Sequence, residues 1–466
     1  MDAVAPGPRA KKLVLVVAIL ASFVSFLDGS IVNVALPAIE NEFGGGLAVQ
    51  QWVVDSYMLT LGAFILLAGS LSDSFGRGRV LTAGLIWFGI TSLLCAVAPT
   101  ASLLIVARAL QGIAAALLVP SSLAIITSTF DDNERGRAIG TWTAWTGTAM
   151  IIGPLLGGGL VDLVSWRLIF GINVLPIVVT LVLMVRMPRQ PRPEAATRVD
   201  ILGAVLGAAG LGGLVFALIE QQRFGWVSPI VFIPLVVGIA ASIAFIIWQA
   251  KSRAPMLPLS LFRARNFWVG NVATVFVYGA LSFGTFVIVI YLQQVAGFAA
   301  TLAGVALMPP TLVMLALSGR MGDLASRFGP RFFMSVGPIV AGLGFALMLM
   351  VAPDINYWLQ LLPGLLIFGL GLSITVAPLT SAILGAIEPA RAGIASAVNN
   401  AVSRVAGLVS VACAALIIGG TLDIDGYRRA MAATAIMLVA GGIISGLGIV
   451  NRRLPADAVN LPDSGG

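Results

Sequence analysis

The chain has 466 residues, 59% of them hydrophobic and only 10% charged, against about 25% charged in an ordinary soluble chain. That balance excludes a soluble domain and places most of the chain in a lipid bilayer, and the formal net charge of +7 then belongs to membrane-surface loops, not to a nucleic-acid partner. No His is present, so a proton carried inside the membrane must ride on Asp or Glu.

A helix needs about 20 apolar residues to cross a bilayer. Fourteen such spans are predicted, at 13–38, 50–71, 80–98, 101–127, 138–161, 168–187, 201–220, 228–249, 267–291, 299–320, 331–352, 357–385, 393–419 and 429–450. The first run is too long for a signal-peptide core and has no small-residue cleavage pattern, so it reads as an uncleaved span. It contains a carboxylate, Asp28, which costs roughly 2.5–3.5 kcal/mol at the centre of a spanning helix and therefore reads as functional. Cys95 and Cys413 fall inside apolar runs and read as small core residues, not as a disulfide or metal site. The three Lys (Lys11, Lys12, Lys251) follow no Gly-rich phosphate loop.

An even number of spans puts both termini on one side. If that side is the cytoplasm, 21 of the 27 basic residues fall inside and only Arg167, Arg223, Arg428 and Arg429 fall outside. Arg108 and Arg404 remain within spans. This asymmetry follows the positive-inside rule and predicts a multi-pass cell-membrane protein with cytoplasmic termini.

An internal repeat organises the spans. The loop after the second span reads Gly69-Ser70-Leu71-Ser72-Asp73-Ser74-Phe75-Gly76-Arg77. The loop after the tenth reads Gly319-Arg320-Met321-Gly322-Asp323, then Arg327-Phe328-Gly329-Pro330-Arg331. An offset of eight spans predicts an all-α membrane protein with two six-helix bundles and an inserted pair: a first bundle over 1–187, linkers and spans seven and eight over 188–265, a second bundle over 266–450, and a cytoplasmic tail over 451–466. Related halves are a signature of secondary transporters, with sites at the repeat interface.

With these motifs in hand, the chain resembles the major facilitator superfamily, and within it the fourteen-helix drug:proton antiporter branch. The resemblance runs from about Leu13 to Val450. It rests first on Leu27-Asp28 with Asn33-Val34-Ala35-Leu36-Pro37, and on Gln51-Trp52-Val53-Val54-Asp55-Ser56-Tyr57. The segment Gly69-x-Leu71-Ser72-Asp73-x-x-Gly76-Arg77-x-Arg79 resembles the family's gating loop, where Asp73 and the arginines could pair and the glycines permit close approach. The fourth span, Ala107-Arg108-Ala109-Leu110-Gln111-Gly112, looks like the family's proton-transfer motif. The fifth, Gly153-Pro154-Leu155-Leu156-Gly157-Gly158, looks like its antiporter motif. Trp166, Arg167, Phe170 and Asn173 also look family-like and read as structural.

The resemblance implies alternating access between two bundles, with Asp28, Arg108 and Asp55 in proton coupling, the proton being the coupling ion and no cofactor or metal being needed. At 1.5 Å per residue, Asp28 lies about 13 Å below an outer end at Pro37, Arg108 and Pro154 each about 10 Å, and Asp55 about 7 Å. All four then share the outer half of the first bundle. Trp52 reads as an interfacial anchor. Asn33, Tyr57, Phe283, Phe286, Met308, Asn399, Asn400 and Arg404 are candidates for a substrate cavity, since Met and aromatic residues repack around varied ligands.

The expected substrate is a lipophilic drug or toxic compound, with two acidic residues favouring cations, carried by a monomer in the bilayer. Export of one endogenous metabolite, siderophore or lipid is the alternative, and a non-transporting membrane sensor is another. An enzyme is disfavoured because no nucleophile–base pair or metal-ligand cluster appears.

Overall fold

The computed structural model describes residues 7–187, 199–352, 354–388, 391–420 and 422–451. The linker expected over 188–198 and the tail from 452 lie outside them. Among the described residues there is no strand, and fourteen helices are long and apolar enough to cross a membrane. They are α1 Pro8–Phe43, α2 Gly46–Phe75, α3 Arg77–Ala96, α4 Ala101–Thr129, α5 Glu134–Leu163, α6 Leu168–Val185, α7 Ile201–Phe224, α8 Pro229–Lys251, α9 Arg265–Gln294, α10 Ala300–Phe328, α11 Pro330–Met350, α12 Tyr357–Gly385, α13 Ala392–Ala412 and α14 Ile424–Gly448.

The number and order of the spans match the sequence expectation, but several limits move. Pro37 does not end α1 but lies inside it, as membrane helices tolerate when neighbours re-satisfy the backbone. The chain turns only at Gly44 and Gly45, whose φ values of 69° and 90° suit glycine. The Gly69–Asp73 segment is the last part of α2, not a loop. The helix stops at Gly76, with φ 97°. Likewise 319–328 is helical, and the break comes at Gly329, with φ 87°. Within α10 the helix is interrupted at Leu307, where Pro309 and Pro310 remove two backbone donors. In α6 an interruption at 172–173 precedes Pro176, which leaves the Ile172 carbonyl without its usual partner.

Helices α1–α6 pack as one bundle and α9–α14 as another. Apolar lipid offers no hydrophobic drive for helices to associate, so close packing of small residues must supply it. The second bundle shows this clearly. An added Cβ at Gly344 would stand 2.6 Å from the Gly364 carbonyl oxygen, and one at Gly371 2.6 Å from that of Gly337. Phe345 meets Phe368 edge-on at 4.8 Å.

Helices α7 and α8 pack on each other, with Gly210 against Ser242 and Gly213 against Gly238. Asp200 ties their near ends together. It accepts from the Gly203 amide at 2.9 Å, Trp248 Nε1 at 2.7 Å, Gln249 Nε2 at 2.8 Å and the Met256 amide at 3.4 Å. Burial pushes its carboxyl up, but these donors outweigh burial and hold it below its ordinary range. Trp52, expected as an interfacial anchor, donates to Glu220 of α7 at 2.7 Å. Gln222 of α7 donates to the Ala415 carbonyl just beyond α13. The inserted pair thus touches both bundles.

The bundles meet along α2 with α13, at the end opposite the chain termini along α5 with the first segment of α10, and more sparsely along α1 with α9. Beyond Leu307, α10 diverges from α5. At that far end Asp162 of α5 accepts from the amides of Ala300 and Thr301 at 3.0 and 2.8 Å, and from the Thr301 hydroxyl at 2.6 Å. Gln293 Nε2 donates to the Val34 carbonyl at 3.1 Å. The far end is latched.

Candidate functional site

Asp28 is fully buried, and four other helices of the first bundle converge on it. Arg108 Nη1 of α4 donates to its Oδ2 at 2.5 Å. Gln111 Nε2, one turn further along α4, donates to Oδ1 at 3.0 Å, and Asn173 Nδ2 of α6 donates to the same oxygen at 2.9 Å. Ser92 of α3 accepts from Gln111 at 2.8 Å. Arg108 Nη1 also donates to Gln111 Oε1 at 2.6 Å, and its Nε donates to the Val53 carbonyl of α2 at 3.1 Å. The guanidinium carbon stands 4.3 Å from the Tyr57 ring centroid and 5.6 Å from that of Phe170.

Local packing explains the convergence. Gly112 leaves no room for a Cβ beside the Tyr57 carbonyl, so α4 lies hard against α2. Thr60 reinforces that contact by donating to the Ala109 carbonyl at 2.7 Å. Arg108 is thereby brought to the Val53 carbonyl, one turn before Tyr57. With 1% of its side chain exposed, the pair has little access to water. A buried pair of this kind holds only while both charges are present and hydrogen-bonded.

The expected depths need revision. Because α1 runs to Phe43 and α2 starts at Gly46, Asp28 is about 22 Å from its helix end and Asp55 about 13 Å from its own. Arg108 stays about 10 Å from Ala101. Asp28 and Arg108 meet because α1 reaches further beyond the bundle than α4 does. Asp55 is elsewhere. It is fully buried, neither of its oxygens has a hydrogen-bond partner among the described residues, and its electrostatic neighbour is Cys413. Asn173, read as structural from the sequence, Gln111 of the fourth-span motif, and Ser92, which no motif includes, all join the Asp28 cluster. Their signal was polar residues inside apolar spans.

In the gating segment Arg77 Nη2 lies 3.4 Å from Asp73 Oδ1, while Arg79 is exposed. Among the described residues the expected close approach at Gly69 and Gly76 is absent, since a Cβ at either meets none of them within 4 Å. Only the positive φ at Gly76 calls for glycine. Nearby, Lys11 donates to Asp131 at 2.9 Å and Glu134 at 2.7 Å, and this holds the Asp131 carboxyl below its ordinary range.

The antiporter segment is an interhelical seam. Gly153 faces Ser30, and a Cβ at Gly157 would stand 2.5 Å from Ile31 Cγ1, so α5 lies against α1. Gly158 abuts the Thr301 backbone, and a Cβ at Gly304 would stand 2.5 Å from the Pro154 carbonyl oxygen, so the same helix also abuts the second bundle.

The cavity candidates scatter. Phe283 and Phe286 are 0% and 2% exposed within the second bundle's core, which corrects their expected place on a cavity wall. Tyr57 is buried with its hydroxyl 3.1 Å from Ser25 Oγ. Asn33 bonds weakly back to the Gly29 carbonyl at 3.4 Å, and Met308 opens the second segment of α10. Asn399 Nδ2 donates to Thr274 Oγ1 of α9 at 2.9 Å, and Asn400 is exposed. Arg404 lies over Phe26. Both carboxylates that led to the expectation of cationic substrates are buried in this arrangement.

Residues 18–411 match the Major Facilitator Superfamily. The methylenomycin A resistance protein of Bacillus subtilis is 35% identical, over 87% of each chain. The puromycin resistance protein pur8 of Streptomyces alboniger is 34% identical, over 87% of this chain and 81% of its own. The cephamycin export protein CmcT of Amycolatopsis lactamdurans is 32% identical, over 96% of this chain and 93% of its own. Among solved structures, a peptide transporter, POT, in complex with sulfate superposes with a TM-score of 0.70 at 17% identity over 95% of each chain, which shows a shared fold. The chain belongs to the major facilitator superfamily and is a multi-pass membrane transporter.

Proposed function

We propose that this protein is a proton-coupled antiporter that exports lipophilic drugs or other toxic small molecules by alternating access. The observation that carries the reading is the sealed Asp28–Arg108–Gln111–Asn173 network. Protonating Asp28 would remove one charge of a buried pair and leave the other uncompensated, which disfavours this arrangement of the first bundle. A proton then biases two states, and a substrate that prefers the other state is coupled to it. The resistance and export names of the relatives support the outward direction of transport, and the basic bias of the terminal side supports placing both termini in the cytoplasm.

The reading is tested in everted vesicles loaded by a proton gradient, with a panel of antibiotics and dyes. Wild type should move several compounds in a protonophore-sensitive way, and Asp28→Asn should reduce this to background. Full proton-driven transport by that variant would remove Asp28 from the mechanism.

A further inference from the structure

At the depth of the bilayer interior, the described residues place four charged side chains: Asp28 and Arg108, which neutralise each other, Asp55, and Arg404. Arg404 lies mid-way along α13, twelve residues from Ala392 and eight from Ala412. Among the described residues it makes no hydrogen bond and no ion pair. Its backbone is held against α2, where a Cβ at Gly62 would touch Val405 and Arg404 at 3.6 and 3.7 Å. From there its side chain reaches toward the other bundle, the guanidinium carbon 5.7 Å from the Phe26 ring centroid. Its electrostatic neighbours are the phenols of Tyr57 and Tyr278. It is partly exposed, and Asn400, one turn earlier, is exposed.

An unpaired guanidinium at this depth is expensive to insert and cannot shed its charge by losing a proton. Neither intramembrane carboxylate relieves it. Asp28 is consumed by three donors, and Asp55 is sealed near the other end of α13 beside Cys413. We propose that Arg404 is the anchoring residue for the carboxylate of an amphipathic, aromatic organic anion, which is the substrate class this transporter carries. The planar guanidinium fork matches a carboxylate in two hydrogen bonds. Phe26 and Tyr278 offer aromatic faces to the apolar body of such a ligand. The Tyr57 ring lies against Arg108, and its phenol is an electrostatic neighbour of both Arg404 and the Asp28 pair. An anion bound at Arg404 is therefore felt electrostatically at the proton-binding network.

The inference rests on the exporter reading for its role in transport, yet its chemistry is read at equilibrium, with no gradient. The full chain, purified in detergent, is titrated with dansylglycine (a carboxylate) and dansylcadaverine (an amine) by fluorescence. Wild type should bind dansylglycine about tenfold or more tightly. Arg404→Gln should erase that preference, and Arg404→Lys should restore only part of it, because an ammonium lacks the fork. A wild type indifferent to probe charge would overturn the proposal whether or not the variants fold. So would a folded Arg404→Gln that keeps the preference. Protonophore-sensitive efflux with charge-indifferent binding would leave the exporter reading intact and remove this one. Arg404-dependent dansylglycine binding without such efflux would do the reverse.

Discussion

The two bundles repeat an architecture without repeating its chemistry. In the first, the interior is a closed polar cluster on five helices, centred on Asp28 and Arg108. In the second, the interior packs glycines against backbone, Phe345 on Phe368, and Tyr291 tilted against Tyr427 at 4.2 Å. Their shared Gly–Asp…Gly–Arg segments diverge as well. Asp73 pairs with Arg77, whereas Arg331 donates to the Gly446 carbonyl at 2.7 Å and so caps α14. A duplicated scaffold can thus hold a buried charge pair in one half and close glycine packing in the other, with Arg404 of the second half left unpaired among the described residues.

The sharpest way to break this comparison is a double-mutant cycle on the polar half. Arg108→Gln leaves Asp28 buried without its countercharge and should lower stability by about 3–5 kcal/mol. Combining it with Asp28→Asn should recover much of that loss in thermal unfolding, while transport stays absent. Additive losses would mean that the pair is not a unit. On the packing half, Gly344→Val should cost about 1–3 kcal/mol through overpacking against the Gly364 carbonyl. Here transport should fall only as far as the folded fraction does. A stable but inactive Gly344→Val would show that this packing is itself part of the transport cycle. The smallest effect concerns the junction of the halves. Asp162→Asn weakens the latch on Ala300 and Thr301, each such charged hydrogen bond being worth about 1.5–3 kcal/mol. The far ends of α5 and α10 should then separate in a larger share of molecules, read as spin-label distances, with little change in melting temperature. An unchanged distance distribution would assign the latch to the glycine seam alone.

Much of the fold was legible in the sequence because lipid imposes a length and composition on every span. The eight-span offset between Asp73 and Asp323 gave the repeat for the same reason. Helix ends were less legible. Pro37 reads as a terminator in water, but in a membrane helix it is absorbed, so the depths of Asp28 and Asp55 were misjudged. Within the site, charge was easy to see and neutral polarity was not. Asp28 and Arg108 stand out in apolar runs, whereas Asn173 becomes informative only when α6 is seen to bring it 2.9 Å from Asp28. Phe283 and Phe286 were misplaced because aromatic periodicity cannot say whether a helix faces a cavity or its own bundle.

The inserted pair gives the molecule a back and a front in the plane of the bilayer. Helix α7 lies over the contact between α2 and α13, holding Trp52 of one bundle and the Ala415 carbonyl of the other. That flank is shielded from the surrounding acyl chains. At the other junction α5 and α10 part beyond Leu307, and among the described residues neither inserted helix packs across them. Among the described residues the seam between the bundles is therefore one-sided, covered by an inserted helix on one flank only.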